Sequence, residues 1–167
     1  DISVSGTGPA ANWNVAGTFS VDGEVITKVT GKRQLTDRGN RIEAKGEGSF
    51  ERFVPRMFRA LLAGQSSFDF AGTIGDAGAV DIEHASLESA ALSATAKGLI
   101  DQSAASDFAL DVKAKGNPAS FSFGEGDEAV TVVVRNVSAR AFGSGDAPGL
   151  DVSASLDRIV TGKAEFT

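Results

Sequence analysis

Between Ser66 and Gly116 the chain alternates apolar and polar residues in three successive runs. The first is Phe68, Phe70, Gly72, Ile74. The second opens with Val80 and Ile82 and resumes through Leu87, Ala91 or Leu92, Ala94 and Ala96. The third is Phe108, Leu110, Val112, Ala114. A period of two places these side chains on one face of a pleated strand and the intervening Ser, Asp, Thr and Lys on the other. Two runs close on Ala-Lys-Gly, at Ala96 to Gly98 and Ala114 to Gly116, and Phe70-Ala71-Gly72 is a looser version. The pattern predicts strands separated by turns, forming a sheet with one apolar face.

The same grammar extends in both directions. Ile2 to Gly6 alternates, and Trp13, Val15, Gly17, Phe19 and Val21 lead into Asp22-Gly23, a hairpin signal between alternating runs. The return strand is read from Val25 or Ile26 to Gly31. Lys32 to Asn40 is polar and ends in a turn at Arg38-Gly39-Asn40, and Ile42, Ala44 and Gly46 form the next strand. Past Asn117-Pro118, Phe121 and Phe123 make a short strand before a turn at Gly124 to Asp127. Val130, Val132 and Val134 belong to a strand whose buried side is ambiguous, because Val133 is apolar too. A long turn is expected at Gly143 to Gly149, then strands through Val152, Ala154 and Leu156 and from Ile159 to Phe166. Gly6, Gly17, Gly31, Gly46, Gly72, Gly98, Gly116 and Gly143 each end such a run, a degenerate strand-turn-strand repeat.

One segment departs from period two. Phe50, Phe53, Val54, Met57, Phe58, Leu61 and Leu62 recur at three and four, a helical stripe. Pro55 suits a first turn and Gly64 a C-terminal stop. The segment predicts a short helix near residues 53–63 that plugs one end of the sheet, or an amphipathic lid with Arg52, Arg56 and Arg59 outward. The pattern predicts an all-β fold of roughly ten to twelve strands with this one helix, its apolar face buried by two packed sheets, by closure into a barrel, or by curling into a trough filled by an acyl chain or an unfolded segment.

Composition narrows the function more than the fold. The 167 residues suffice for a single domain, 1–167, with a sizeable core. The chain starts and stops in strand-like sequence, and it is expected to be a fragment of a longer repetitive protein. No cysteine is present, which removes disulfides and thiolate metal sites. The net charge of −6 is uneven. Residues 1–60 carry nine Lys or Arg against seven Asp or Glu, whereas 61–167 carry seven against fifteen. An acidic two-thirds disfavours nucleic acid as a partner. No apolar run approaches the ~20 residues of a membrane span.

Candidate chemistry is sparse. His84 is the only histidine, read as a solvent-facing or turn residue, so no histidine cluster can hold a metal. Ser144 to Asp146 and Gly124 to Asp127 lack the ligand spacing of calcium loops. No phosphate loop is followed by Lys-Ser or Lys-Thr. Asn136-Val137-Ser138 matches a glycosylation sequon. No catalytic, metal or cofactor site is expected, and the protein is read as a non-enzyme whose working surface is apolar. The residues expected to line it are Phe68, Phe70, Ile82, Phe108, Leu110, Val112, Val132 and Val152.

The run Phe58 to Gly64, then Ser67 to Gly72, then Ala79 to Leu87, then Leu92 to Gly98 resembles the TamB family, the inner-membrane subunit of the translocation and assembly module. The wider AsmA-like group is similar in style. In such chains a short helix ending in Leu-x-Gly precedes strands that alternate and close on small-x-Gly. The resemblance implies a periplasmic segment of a bridge anchored in the inner membrane through a part absent from this sequence. It implies a curled, open sheet (a β-taco) whose apolar groove carries phospholipid or nascent outer-membrane protein, with a TamA-type outer-membrane barrel as partner. It implies no cofactor.

Overall fold

The computed structural model describes residues 1–75, 77–101, 104–115, 119–123, 130–144, 146–161 and 164–166. The predicted turn at 124–127 and the Asn117-Pro118 loop lie outside these residues. Twelve strands form one antiparallel sheet: Ile2–Thr7 (β1), Asn12–Val21 (β2), Glu24–Thr36 (β3), Gly39–Gly48 (β4), Ser66–Ile74 (β5), Val80–Glu88 (β6), Leu92–Ile100 (β7), Ser106–Ala114 (β8), Ala119–Phe123 (β9), Val130–Ser144 (β10), Ala147–Thr161 (β11) and Ala164–Phe166 (β12). They pair in chain order, except that β8 and β9 share one edge of β10. Lys113 faces Asn136 and Ala119 faces Val134, so β8 and β9 follow one another along the same edge of β10.

The sheet is open. β1 and β12 stand at opposite ends of the order and do not pair, and all strands share one sheet, so the closed sandwich or barrel is not found. The surface area agrees. The chain exposes 10683 Å², against ~7,800 Å² for a compact monomer of 17.1 kDa. Among the described residues no large side chain is fully buried, and the hydrophobic core reduces to Leu61, Leu62, Leu92 and Val133. Twist and bulges curl the sheet instead of leaving it flat.

Local chemistry explains the turns. Asp22 and Gly23 adopt φ of 52° and 84°, the pair of positive values a two-residue primed hairpin needs, and Val21 faces Glu24 across it. The next reversal falls at Asp37-Arg38 rather than at Arg38-Gly39-Asn40, because β3 runs unbroken from Glu24 to Thr36. The reversal after β10 is also tighter than expected. Ser144 faces Ala147, so only two residues separate the strands. β11 then runs from Ala147 to Thr161, and the stretch expected as one strand from Ile159 to Phe166 is divided between β11 and β12.

The glycines expected to end strands mostly lie inside them. Gly6, Gly17, Gly31, Gly46, Gly72, Gly98 and Gly143 are all strand residues, and Gly116 lies outside the described set. Several seat a neighbouring side chain. A Cβ on Gly46 would fall 2.3 Å from the Phe68 ring, and one on Gly6 2.6 Å from Trp13. The bare backbone lets an aromatic lie flat across the adjacent strand.

The helical stripe forms two 3-10 stretches, Glu51–Phe53 and Arg56–Leu62, not one α-helix. Pro55 divides them in an extended conformation (ψ 149°), and its carbonyl accepts the first bond of the second stretch from the Phe58 amide at 2.9 Å. Gly64, at φ 78°, ends the segment as expected. The segment does plug one end of the sheet. Leu61 and Leu62 are buried, and the Ser89 hydroxyl, in the β6–β7 turn, donates to the Leu61 carbonyl at 2.7 Å. The Arg56–Leu62 stretch also approaches β9.

Candidate functional site: the apolar face

Strand register assembles the alternating residues into rows that run across the sheet. One row passes Val4, Gly17, Val29, Gly46, Phe68, Leu87, Ala94, Val112, Val137 and Ala154. The next passes Gly6, Val15, Gly31, Ala44, Phe70, Ala85, Ala96, Leu110, Ala139 and Val152. Neither row contains a polar residue. At the usual strand spacing each spans ~43 Å. The third row carries Ile42, Gly72, Ile82, Gly98, Phe108, Ala141 and Leu150. Its one charge, Arg33, is tied at the margin, donating to Asn40 Oδ1 at 2.9 Å and to the Ala10 carbonyl at 2.7 Å.

A bulge keeps β6 in phase. Ala71 faces His84 while Gly72 faces Ile82, leaving Glu83 as the extra residue. Ile82 before it and Ala85 and Leu87 after it therefore share a face, although their numbers differ in parity. The displaced Glu83 meets Arg41 of β4 across β5. Arg41 Nη2 donates to Glu83 Oε2 at 2.7 Å, and Arg41 Nε to Oε1 at 3.2 Å.

Seven of the eight expected residues fall in these rows: Phe68 and Val112 in the first, Phe70, Leu110 and Val152 in the second, Ile82 and Phe108 in the third. Val132 does not align with them. Register slips between Val133 and Val134 and between Val134 and Asn136 intervene, and it faces Ile159 and Phe121 beside the buried Val133. Exposure of the face grows toward the open edges. Ile2 and Val4 are 74% and 70% exposed on β1, and Leu150 and Val152 are 68% and 60% exposed on β11.

Sequence reasoning missed a roofed part of the face. A cavity of about 390 Å³ lies over β1–β3, lined by Val4, Val15, Gly17, Phe19, Val29, Phe50 and Phe53 among others. The Phe19 and Phe53 rings meet edge to face at 5.2 Å, and Phe50 meets Phe68 at 5.6 Å. The alternation of Val15, Gly17 and Phe19 signalled the floor. The stripe from Phe50 to Leu62 signalled a plug or lid, but nothing in the sequence said which strands it would roof.

The opposite face is a ladder of ion pairs. Lys45 pairs with Asp69 at 2.7 Å, Arg140 with Asp107 at 2.9 Å and Arg135 with Asp157 at 2.5 Å. Arg41 holds the Glu83 carboxyl below its usual range, and Arg140 does the same to Asp107. Each perturbed group has its partner on the same exposed face, which marks structural pairing rather than a poised acid or base. His84 is half exposed, 3.8 Å from Asp69. Among the described residues no group of three His, Cys, Asp or Glu could hold a metal, and no helix is long and apolar enough to cross a membrane.

No family model, curated protein or solved structure matches this chain.

Proposed function

We propose that this chain is a trough-forming segment of a TamB-like or AsmA-like bridge between bacterial membranes, a non-enzymatic carrier that shields hydrocarbon in transit. On this reading it works in the periplasm, its parent is anchored in the inner membrane, and a TamA-type outer-membrane barrel receives the cargo. The observation that carries the reading is the pair of apolar rows crossing ten strands, with no second sheet over them among the described residues.

Of the two cargoes the resemblance implies, phospholipid suits the face better than nascent outer-membrane protein. An acyl chain needs only apolar contact and gains ~0.8 kcal/mol per buried CH₂. A polypeptide lying on the face would bring N–H and C=O groups that no side chain in the two rows could satisfy.

Native mass spectrometry of the purified chain tests the proposal. Phospholipid adducts are expected on the wild type and lost in Leu110→Asp, which puts a carboxylate in the middle of a row, with the far-UV circular dichroism unchanged. A wild type that purifies without lipid and takes none up from vesicles would refute it.

A further inference from the structure

Among the described residues, two hollows lie along the apolar face, a smaller one beside Leu92 and Val112 and a larger one over β1–β3, and the larger is the candidate seat for a ligand. Gly31 and Gly46 are overlaid by Val15 and Phe68, which a Cβ would approach to 2.9 and 2.3 Å. Gly17 is not overlaid. A Cβ there would meet only the Ser3 carbonyl at 3.6 Å and Val4 Cγ2 at 3.8 Å. The cavity of about 390 Å³ stands over this bare floor, within the ~300–1,000 Å³ of small-molecule pockets. Phe19 and Phe53 close it on one side.

Its walls offer nothing to a polar ligand. Ser3 and Thr18 alternate with Val4 and Gly17, which turns their hydroxyls to the opposite face. Thr27 is buried, and its hydroxyl already donates to the Ser49 carbonyl at 3.2 Å. The lining reaches the β1 edge, where Ile2 and Val4 are the most exposed large apolar side chains among the described residues.

We infer that this pocket binds the end of a single unbranched acyl chain, with the head group left outside at the β1 edge. The inference rests on the carrier reading and adds a discrete seat to it. A peptide would carry backbone polar groups into walls that cannot pair them, so an acyl tail is the occupant the chemistry selects.

Trp13 makes the site measurable. It is the only tryptophan, and it shares a face with Val15 two residues along β2, ~7 Å away. Bromine-labelled dodecanoate is expected to quench Trp13 fluorescence saturably. Gly17→Leu builds onto the floor from a Cβ that meets nothing closer than 3.6 Å, and displacing about four methylenes should weaken the apparent affinity roughly two-hundredfold. Gly17→Ala, with one methyl, gives an intermediate loss, and circular dichroism checks that both variants fold. Equal quenching in wild type and Gly17→Leu would overturn the inference. So would displacement of the probe at equal potency by a peptide of alternating Leu and Ser. Phospholipid adducts without Trp13 quenching would sink the pocket and leave the trough standing; absence of both would sink the two together.

Discussion

Replacing Gly46 with alanine tests whether the strand glycines are seats for aromatic rings. The new Cβ would fall 2.3, 2.9 and 3.0 Å from three atoms of the Phe68 ring. Contacts that short do not persist, so the ring must leave its place over β4. Displacing a packed side chain costs about 1–3 kcal/mol. The ring also loses its edge contact with Phe50, centroids 5.6 Å apart, worth ~0.5–1.5 kcal/mol. Against this, removing a glycine from a strand interior returns ~0.5–1 kcal/mol. The net expectation is a loss of about 2 kcal/mol. Gly17→Ala is the matched control. Its Cβ meets nothing closer than 3.6 Å, so only the favourable part remains, a gain of ~0.4–1 kcal/mol. Urea unfolding of the three proteins reads both signs as midpoint shifts at constant m. Equal midpoints for Gly46→Ala and Gly17→Ala would refute the seating argument.

Three further outcomes follow from other contacts. Ser89→Ala leaves the Leu61 carbonyl and the Ala91 and Leu92 amides without their hydroxyl partner, a loss of ~1–3 kcal/mol that should loosen the 3-10 plug first; unchanged amide exchange at residues 58–62 would contradict it. Leu92→Ala removes one of four buried hydrophobic side chains and should cost ~2–3 kcal/mol in thermal or urea unfolding, the low end because an open cavity already adjoins it; a cost under 1 kcal/mol would show that the plug end is not the core. The Glu83 carboxyl is held below its ordinary 4.5 by Arg41, so the ion pair's contribution is complete above that pH and disappears as the pH falls through the lowered value. Glu83→Gln should flatten the acid limb of the stability profile, and superimposable profiles would count against it.

Period two makes the sheet legible in the chain alone, because each alternating run needs only its own residues to declare a face. The Asp22-Gly23 hairpin was equally local, since both residues tolerate the positive φ it demands. Other features depend on partners that a single strand does not reveal. The apolar run of β6 changes parity between Ile82 and Leu87, and the bulge at Glu83 brings both back to one face. Glycine reads as a stop signal, yet Gly46 is defined by the ring of Phe68 on the next strand. The stripe from Phe50 to Leu62 has helical spacing, but Pro55 prevents one continuous helix and each remaining piece is short enough to tighten into 3-10 form. For the candidate face, alternation names seven residues that the register gathers into three rows, while Val132 lies beyond two register slips that fall within three positions. The pocket over Gly17 needed a roof from a distant segment, which no periodicity encodes.

Nearly every strand in this molecule touches only the strands beside it, and the 3-10 plug is the principal cross-tie. Such a ladder unravels like a zip rather than collapsing at once. Amide exchange should be fastest in β1 and β12, slower through β2 and β11, and slowest around β6 and β7. Heat should peel the two rims while the middle persists, so different probes should report different melting temperatures.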